Sequence, residues 1–156
     1  MSEAPSLMPV ADARARILDA MSTVSIESVS LAQARGRVLA KDILARVTQP
    51  PVAVSAMDGY AVRARDVAAV PATLTVIGEA PAGGAFEGDI GEGQAVRIFT
   101  GGPVPTGATA IVIQEDTERN QDQVTVLEAV TEGRFIRPAG LDFSAGDVGL
   151  EAGRTL

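Results

Sequence analysis

The sequence contains no cysteine and no histidine. Within these 156 residues this excludes disulfide bonds, thiolate nucleophiles, histidine general bases and zinc sites of the usual nitrogen and sulfur type. A metal ion bound by this chain would have oxygen ligands, for which Mg²⁺ is the natural candidate. Lys41 is the only lysine, so the chain cannot form a lysine cluster for phosphate groups.

Tryptophan is absent too, and the aromatic residues are one tyrosine and four phenylalanines. The core must therefore be built from valine, isoleucine, leucine and alanine, because 46% of the residues are hydrophobic. The 16 glycines and 9 prolines indicate many turns, which favours short strands over a long helical bundle. The length suits one ordinary domain or two small ones.

The net charge of −7 arises mainly in the middle of the chain. Residues 50–135 carry 5 positive and 12 negative side chains, whereas residues 1–49 carry 6 and 5. An acidic surface repels nucleic acids and anionic membranes. No apolar run approaches the roughly 20 residues that cross a membrane, and no signal peptide is evident. We expect a soluble cytoplasmic protein that binds neither nucleic acid nor membrane.

Helical signals are confined to the first third of the chain. Apolar residues at helical spacing predict a helix from about residue 9 to 21. Ser30 and Gln33 have the form of a capping box, which predicts a second helix ending near Leu39. Residues 43–47 indicate a strand. The prolines at 50 and 51 and the change in charge balance place a domain boundary near residue 48.

Strand signals dominate the rest of the chain. Four short apolar or alternating segments, separated by glycine-, proline- and aspartate-rich turns, predict a small antiparallel sheet or barrel. These segments are residues 74–77, 95–99, 110–113 and 124–127. Two shorter strands are predicted at residues 135–137 and 148–150.

Two loops contain residues typical of a binding site. Asp58-Gly59 is a strong turn pair, which indicates either an ordinary hairpin turn or a carboxylate that points into a cleft. Thr100-Gly101-Gly102 follows an alternating strand, and such a loop serves tight turns but can also hold a phosphate or oxyanion with its backbone N–H groups.

Two further acidic positions are ambiguous from the residues alone. Glu115 and Asp116 follow a predicted strand and are either Mg²⁺ ligands or solvated charges that prevent edge-to-edge pairing. Asp142 lies between glycines and apolar residues, as either a turn former or a carboxylate directed at a site.

Five motifs occur in a fixed order along the chain. They are Ala34-Arg-Gly-Arg-Val-Leu-Ala-Lys-Asp42, Ser55-Ala-Met-Asp-Gly-Tyr-Ala-Val62, Gly78-Glu-Ala-Pro-Ala-Gly83, Arg97-Ile-Phe-Thr-Gly101 and Val104-Pro-Thr-Gly107. In this order and spacing they resemble the N-terminal region of the MoeA family, the molybdopterin molybdenumtransferases, which include the E domain of gephyrin. The octapeptide from Ser55 is that family's signature, and the resemblance covers nearly the entire chain.

The resemblance implies the Mg²⁺-dependent insertion of molybdenum from molybdate into adenylylated molybdopterin, with release of AMP, in molybdenum cofactor biosynthesis. It implies catalytic roles for Asp58, Thr100 and Asp142. By the same resemblance, the implied metal ligands are Asp58, Asp142 and Glu115. The implied contacts to substrate or cofactor are Ser55, Thr100, Gly101 and Gly102.

The sequence departs from the family pattern at three positions. Val52 stands where phenylalanine is usual, Val54 where a polar residue is common, and Leu141 where an acidic residue is common. We therefore expect the segment before the octapeptide to pack differently or to contact substrate less.

The resemblance also implies an α+β, mostly β fold. Residues 1–47 and 136–156 would form an elongated mixed α/β unit, and residues 48–135 an inserted, small, β-barrel-like domain. The pterin-binding α/β domain and the C-terminal β domain of the family are absent from these residues. Family members are homodimers with the active site between subunits. We therefore expect a homodimer that is inactive by itself, with a molybdopterin adenylyltransferase as a possible upstream partner.

Two other hypotheses remain open from the sequence. The chain is either a non-catalytic dimerisation or scaffold module of the same family, or an unrelated small-ligand-binding β protein that shares these turns by chance. Concentration-dependent dimers without ligand binding would favour the first.

Overall fold

The computed structural model describes residues 7–156. The chain divides into two compact units: Met1–Asp42 together with Glu151–Leu156, and Ile43–Leu150. The predicted boundaries, at residues 47/48 and 135/136, lie 5 and 15 residues inside the limits of the second unit. It stays a prediction about the domains.

The helix of the first unit, α1, spans Val10–Asp19. It begins after Pro9, whose carbonyl accepts the first helical hydrogen bond from Ala13 N–H at 3.0 Å. Pro9 is the N-cap residue, with φ −55° and ψ 142°, and its missing N–H removes no helical hydrogen bond. The predicted helix is therefore confirmed, with shorter ends. None of its residues is buried. Across residues 7–156, no helix combines the length and apolar character needed to cross a membrane.

The predicted second helix is wrong. Only a single 3₁₀ turn, Leu31–Gln33, forms after Ser30. The Ser30 hydroxyl donates to the Gln33 side-chain oxygen at 2.8 Å instead of accepting from a backbone N–H, so the capping box is not made. Gly36 then adopts φ +76°, a left-handed conformation that ends helical structure, and the chain turns away.

Strands make up 31% of the residues and helices 13%, which confirms a mostly β fold. In the described part of the chain the strands are β1 Ile43–Leu44, β2 Val54–Ser55, β3 Gly59–Val62, β4 Ala72–Ala80, β5 Gln94–Ile98, β6 Ala110–Ile113, β7 Thr117–Asn120, β8 Gln123–Val126, β9 Ile136–Arg137 and β10 Val148–Leu150. Sequence patterns predicted all of these except β2, β3 and β7. The strand predicted at residues 43–47 is limited to β1.

Six strands of the second unit form one curled, half-barrel sheet in the order β6-β3-β5-β4-β8-β7. β3 lies between β5 and β6 and pairs antiparallel with both. Two smaller ribbons join β1 to β10 and β2 to β9. β3 is the second strand from the β6 edge of the sheet, so the second half of the octapeptide, which forms β3, is paired on both sides.

The sequence predicted a small antiparallel sheet or barrel, and the observed half-barrel sheet departs from antiparallel pairing at one pair. β4 and β5 run parallel, with an irregularity between Val76 and Glu79. Parallel neighbours need a crossover of about a dozen residues, and the connection over residues 81–93 is long enough to provide it.

The sheet is covered by apolar side chains on both faces. Side chains alternate along a strand, so Tyr60 and Val62 pack on one face while Ala61 packs on the other. This explains why β6, with the sequence Ala-Ile-Val-Ile, is a continuous apolar run. The largest fully buried side chains include Ile98 and Ile111, in agreement with the expectation of an aliphatic core.

Candidate functional site

Asp58 lies in the bend between β2 and β3. The bend is shaped by Ser55, which is 1% exposed. The Ser55 hydroxyl donates to the Met57 carbonyl at 2.6 Å and accepts from Met57 N–H at 3.3 Å. A hydroxyl that bonds the backbone two residues ahead tightens a turn. Ser55 is thus occupied in positioning Asp58, and its predicted contact with a cofactor stays a prediction.

The carboxylate of Asp58 is held by Thr100. Asp58 Oδ1 accepts two hydrogen bonds of 2.7 Å, one from the Thr100 backbone N–H and one from the Thr100 hydroxyl. Asp58 Oδ2 has no hydrogen-bond partner among residues 7–156. Two sequence-predicted catalytic residues, which are 42 positions apart, are therefore in direct contact. The carboxylate leaves one oxygen free on a partly exposed surface.

The hairpin-turn interpretation of Asp58-Gly59 is wrong. The Asp58 carboxylate bonds Thr100 and not its own backbone, and Gly59 is already the first residue of β3. Glycine is required there for a different reason. A methyl group on Gly59 would overlap the carbonyl oxygen of Val112 on the neighbouring strand β6.

The bonds from Thr100 hold the pKa of Asp58 below its ordinary value. The main cause is the Thr100 backbone N–H, followed by the Thr100 hydroxyl, and the charge of Arg97 adds to them; partial desolvation opposes the shift. Donors to the ionised form stabilise it. Asp58 is therefore a carboxylate at neutral pH, as a cation ligand must be.

The glycine loop after Thr100 has its backbone donors engaged. Gly101 N–H donates to the Ser55 carbonyl at 2.9 Å, and Gly102 N–H donates to the Phe99 carbonyl at 2.8 Å. The loop thus joins the Ser55 bend to the end of β5 and presents Thr100 to Asp58. Binding of an anion by these amides stays a prediction, and it would require them to exchange their present partners.

Glu115 directly follows Gln114, which contacts the bend that contains Asp58. It belongs to the 3₁₀ turn Gln114–Asp116 after β6, and Gln114 N–H donates to the Asp58 carbonyl at 3.0 Å. Glu115 is exposed, and its carboxylate accepts a long hydrogen bond of 3.4 Å from the Gln114 side chain.

Asp142 follows β9 and forms an ion pair. Both of its oxygens accept from one nitrogen of Arg137, at 2.8 and 3.1 Å. Both side chains are 43% exposed. In residues 7–156, no group of three or more aspartate and glutamate side chains is gathered for a metal ion. The structure therefore brings Asp58 and Thr100 together but does not assemble Asp58, Asp142 and Glu115 into one cluster.

Two residues of this site carried no predicted role, Arg97 and Gln114. Arg97 donates to the Gly59 carbonyl at 3.1 Å and to the Gln114 side-chain oxygen at 2.7 Å. The sequence signal was an arginine within an otherwise apolar strand, between the buried Val96 and Ile98. A charged side chain at such a position needs partners, which Gly59 and Gln114 supply.

Replacing Thr100 by valine should raise the pKa of Asp58. The change removes the hydroxyl donor and keeps the backbone N–H, so the pKa should move part of the way towards its ordinary value of about 3.9. The stabilisation that comes from the lowered pKa is present above the unfolded-state pKa and is lost as the pH falls through the folded-state pKa. A ¹³C NMR titration of the Asp58 carboxyl measures the shift. An unchanged pKa in Thr100→Val would contradict the role of the hydroxyl.

Comparison of the sequence with known proteins identifies the family of this chain. The sequence profile described as the MoeA N-terminal region (domain I and II) matches residues 8–156. The chain is 44% identical, over 131 residues and 81% of its length, to molybdopterin molybdenumtransferase 2 of Mycobacterium tuberculosis, of which this covers 32%. It is 36% identical, over 96% of its length, to the molybdopterin molybdenumtransferase of Haemophilus influenzae, of which this covers 37%.

Solved structures agree with the sequence comparison. The molybdopterin biosynthesis MoeA protein of Pyrococcus horikoshii OT3 superposes with a TM-score of 0.83 and 38% identity, over 97% of this chain and 41% of that one. The chain thus spans about a third of the length of the curated relatives it matches. The profile match, the relatives and the shared fold all agree: the chain belongs to the family of the MoeA N-terminal region, domains I and II.

Proposed function

We propose that this chain supplies the Asp58–Thr100 pair to the active site of a molybdopterin molybdenumtransferase. The reaction inserts molybdenum from molybdate into adenylylated molybdopterin with release of AMP, in the cytoplasm, as a step of molybdenum cofactor biosynthesis. The observation that carries the proposal is the Asp58 carboxylate, which has one oxygen fixed by two short bonds from Thr100 and the other free. Membership of the MoeA family supports it.

The residues at this bend fit Mg²⁺ as one part of its binding site. Mg²⁺ in enzymes is commonly held by one or two carboxylates, substrate phosphates and water, and it does not need a cluster of three acids. Asp58 Oδ2 supplies one such oxygen. Glu115 is a second candidate because the neighbouring Gln114 bonds the Asp58 main chain. Asp142 would first have to leave Arg137. When bound, Mg²⁺ would polarise a phosphoryl oxygen of the substrate.

The protein side chains have two tasks in this proposal: they fix the orientation of the Asp58 carboxylate, and they keep that carboxylate ionised. Thr100 holds Asp58 ionised, and its two donors leave Asp58 a single free oxygen. A preorganised carboxylate costs no reorganisation when the substrate and its cation arrive. We propose that the bend formed by Ser55 and the loop from Thr100 to Gly102 serve this preorganisation, because their backbone bonds tie both ends of the pair together.

We propose that the rest of the active site comes from outside these 156 residues. The chain corresponds to about a third of its relatives, and the phosphorylated pterin would need cationic groups that an acidic chain with one lysine supplies poorly. The chain alone is then inactive. The family resemblance implies a homodimer, which would bring further residues to the Asp58–Thr100 pair. A molybdopterin adenylyltransferase would supply the substrate.

AMP release from adenylylated molybdopterin, in the presence of Mg²⁺ and molybdate, tests this proposal. The isolated chain should release no AMP above the blank. A chimera in which residues 8–156 replace the matching region of the Mycobacterium tuberculosis relative should release AMP at a rate comparable to that relative. An inactive, folded and dimeric chimera would contradict the proposed function. AMP release by the isolated chain would contradict the proposal that the rest of the active site comes from outside these 156 residues.

A non-catalytic dimerisation or scaffold module of the same family is the second candidate function. The observation in its favour is α1, which buries none of its residues although it carries a row of apolar side chains. The exposed ones include Val10, Ile17 and Leu18. An apolar helix face of this kind is typical of an interaction site. Sedimentation velocity would show concentration-dependent dimers, and a chimera that dimerises but releases no AMP would favour this function.

A further inference from the structure

Arg97 connects three parts of the molecule that meet at Asp58. Its position follows from strand register: Arg97 on β5 lies opposite Tyr60 on β3, and Phe99 lies two residues further along the same face. The Arg97 guanidinium carbon is 5.3 Å from the centroid of the Tyr60 ring and 4.7 Å from that of the Phe99 ring. Arginine stacks well on aromatic faces, so two rings restrict the orientation of its planar group.

The Arg97 guanidinium, whose orientation these rings restrict, then donates hydrogen bonds to groups beside Asp58. One Arg97 nitrogen donates at 3.1 Å to the carbonyl of Gly59, the residue directly after Asp58. The other donates at 2.7 Å to the side chain of Gln114, whose own backbone N–H donates to the Asp58 carbonyl at 3.0 Å. The main chain of Asp58 is therefore held at its own carbonyl through Gln114 and at the next carbonyl by Arg97 directly.

We propose that Arg97 is a positioning residue for the Asp58–Thr100 pair, acting through the Gly59 carbonyl and Gln114. This inference rests on the proposed function for its catalytic meaning, since Arg97 itself is not assigned a contact to substrate. Arg97 sets the direction of the bend, and Thr100, three residues further along the same strand end, then meets the Asp58 carboxylate. Lysine cannot replace it, because a single ammonium group has neither the planar face nor the fixed fork.

The arrangement has a direct spectroscopic test in the 156-residue chain without substrate. A scalar coupling across the hydrogen bond, from the Thr100 amide nitrogen to the Asp58 carboxyl carbon, reports the geometry of the pair. The wild-type chain should show this coupling, with the Thr100 amide proton shifted downfield by its short bond to a carboxylate. Arg97→Gln and Arg97→Lys should both lose the coupling while amide signals of the distant β7 and β8 stay in place.

Arg119→Gln is the matched control. Arg119 is exposed on β7, and among residues 7–156 its side chain bonds only the Gln121 carbonyl, at 3.0 Å, so its replacement should leave the coupling intact. Gln114→Ala is a second variant that removes the bridge without removing a charge, and it decides the question if the Arg97 variants fail to fold. It should weaken the coupling.

Three outcomes would overturn the inference. They are no coupling in the wild-type chain, a coupling that persists in folded Arg97→Gln or Arg97→Lys, and an unchanged coupling in Gln114→Ala. A purely structural role of Arg97 would lower thermal stability but leave the coupling of the folded state unchanged. Because no substrate is present, failure of this test leaves the AMP-release proposal standing, and failure of AMP release leaves this test standing.

Discussion

Asp58→Asn should lower the rate of AMP release by the chimera about 100-fold or more. Loss of a partner that merely supports a metal ligand typically costs about 10–100-fold in metal affinity or activity, and Asp58 is proposed as a ligand itself. Asparagine keeps the size of the side chain and an oxygen that accepts from Thr100, but it removes the charge. The fold should survive, because the bonds that hold the bend come from backbone groups, Ser55 and Arg97, none of which this substitution changes.

Asp122→Asn is the matched control for this prediction. Asp122 is exposed at the turn between β7 and β8; its backbone carbonyl accepts from Val76 N–H at 2.7 Å, and its carboxylate has no hydrogen-bond partner in the described part of the chain. Its replacement removes the same charge from the same acidic unit, so it accounts for any general electrostatic effect. Wild-type rates in a folded Asp58→Asn chimera would end the proposed role of Asp58. An equal loss in Asp122→Asn would assign the effect to net charge.

Gly59→Ala should destabilise the second unit by about 3 kcal/mol or more. The added methyl group would overlap the Val112 carbonyl oxygen and lie 3.0 Å from Ile113 Cα, both backbone atoms of β6. Relief is difficult because β3 is paired on both sides, and a shift away from β6 pushes it against β5. Urea denaturation should show a lower midpoint with an unchanged slope.

Gly149→Ala provides the comparison within the same unit. Gly149 also lies in a strand, β10, but its nearest neighbour to an added methyl group is the Ile43 carbonyl oxygen at an ordinary 3.4 Å. Its replacement should change the free energy of unfolding by less than about 1 kcal/mol. Equal effects of the two substitutions would show that close approach of β6 is not the reason for glycine at position 59.

Elements with a strong local pattern were predictable from the sequence. β6 and β10 were predicted at their observed bounds, and α1 to within two residues at each end, because periodicity and flanking turns define them. The second helix failed because a capping box is only a local signal, and Gly36 in a left-handed conformation ended the helix. β7 was missed because Thr-Glu-Arg-Asn lacks apolar alternation and forms only as an edge strand beside β8.

Long-range pairing limited the rest of the fold prediction. β3 was missed because Asp58-Gly59 indicated a turn where the strand begins, and its neighbours β5 and β6 come much later in the chain. The parallel pairing of β4 and β5 depends on the path of residues 81–93, and no local pattern records that path.

The site residues that belong to the family's motifs were predictable from the sequence. Asp58 and Thr100 were named from motifs, and the structure places the two side chains in direct contact. Arg97 was missed because its partners, the Gly59 carbonyl and Gln114, lie on other strands or turns. The hypothesis of an unrelated β protein is wrong, because the chain belongs to the MoeA N-terminal family. The catalytic and metal-binding roles of Asp58, Thr100, Glu115 and Asp142 remain predictions.

The proposed reaction couples AMP release to molybdenum insertion, so the decisive quantity is the molybdenum content of the pterin product relative to AMP. The chimera carrying residues 8–156 would be incubated with adenylylated molybdopterin, molybdate and Mg²⁺, and the two products quantified together. The proposed function predicts equimolar AMP and molybdenum-loaded pterin, with both lost in Asp58→Asn. AMP release without molybdenum in the pterin, or equal yields in the Asp58→Asn chimera, would contradict it.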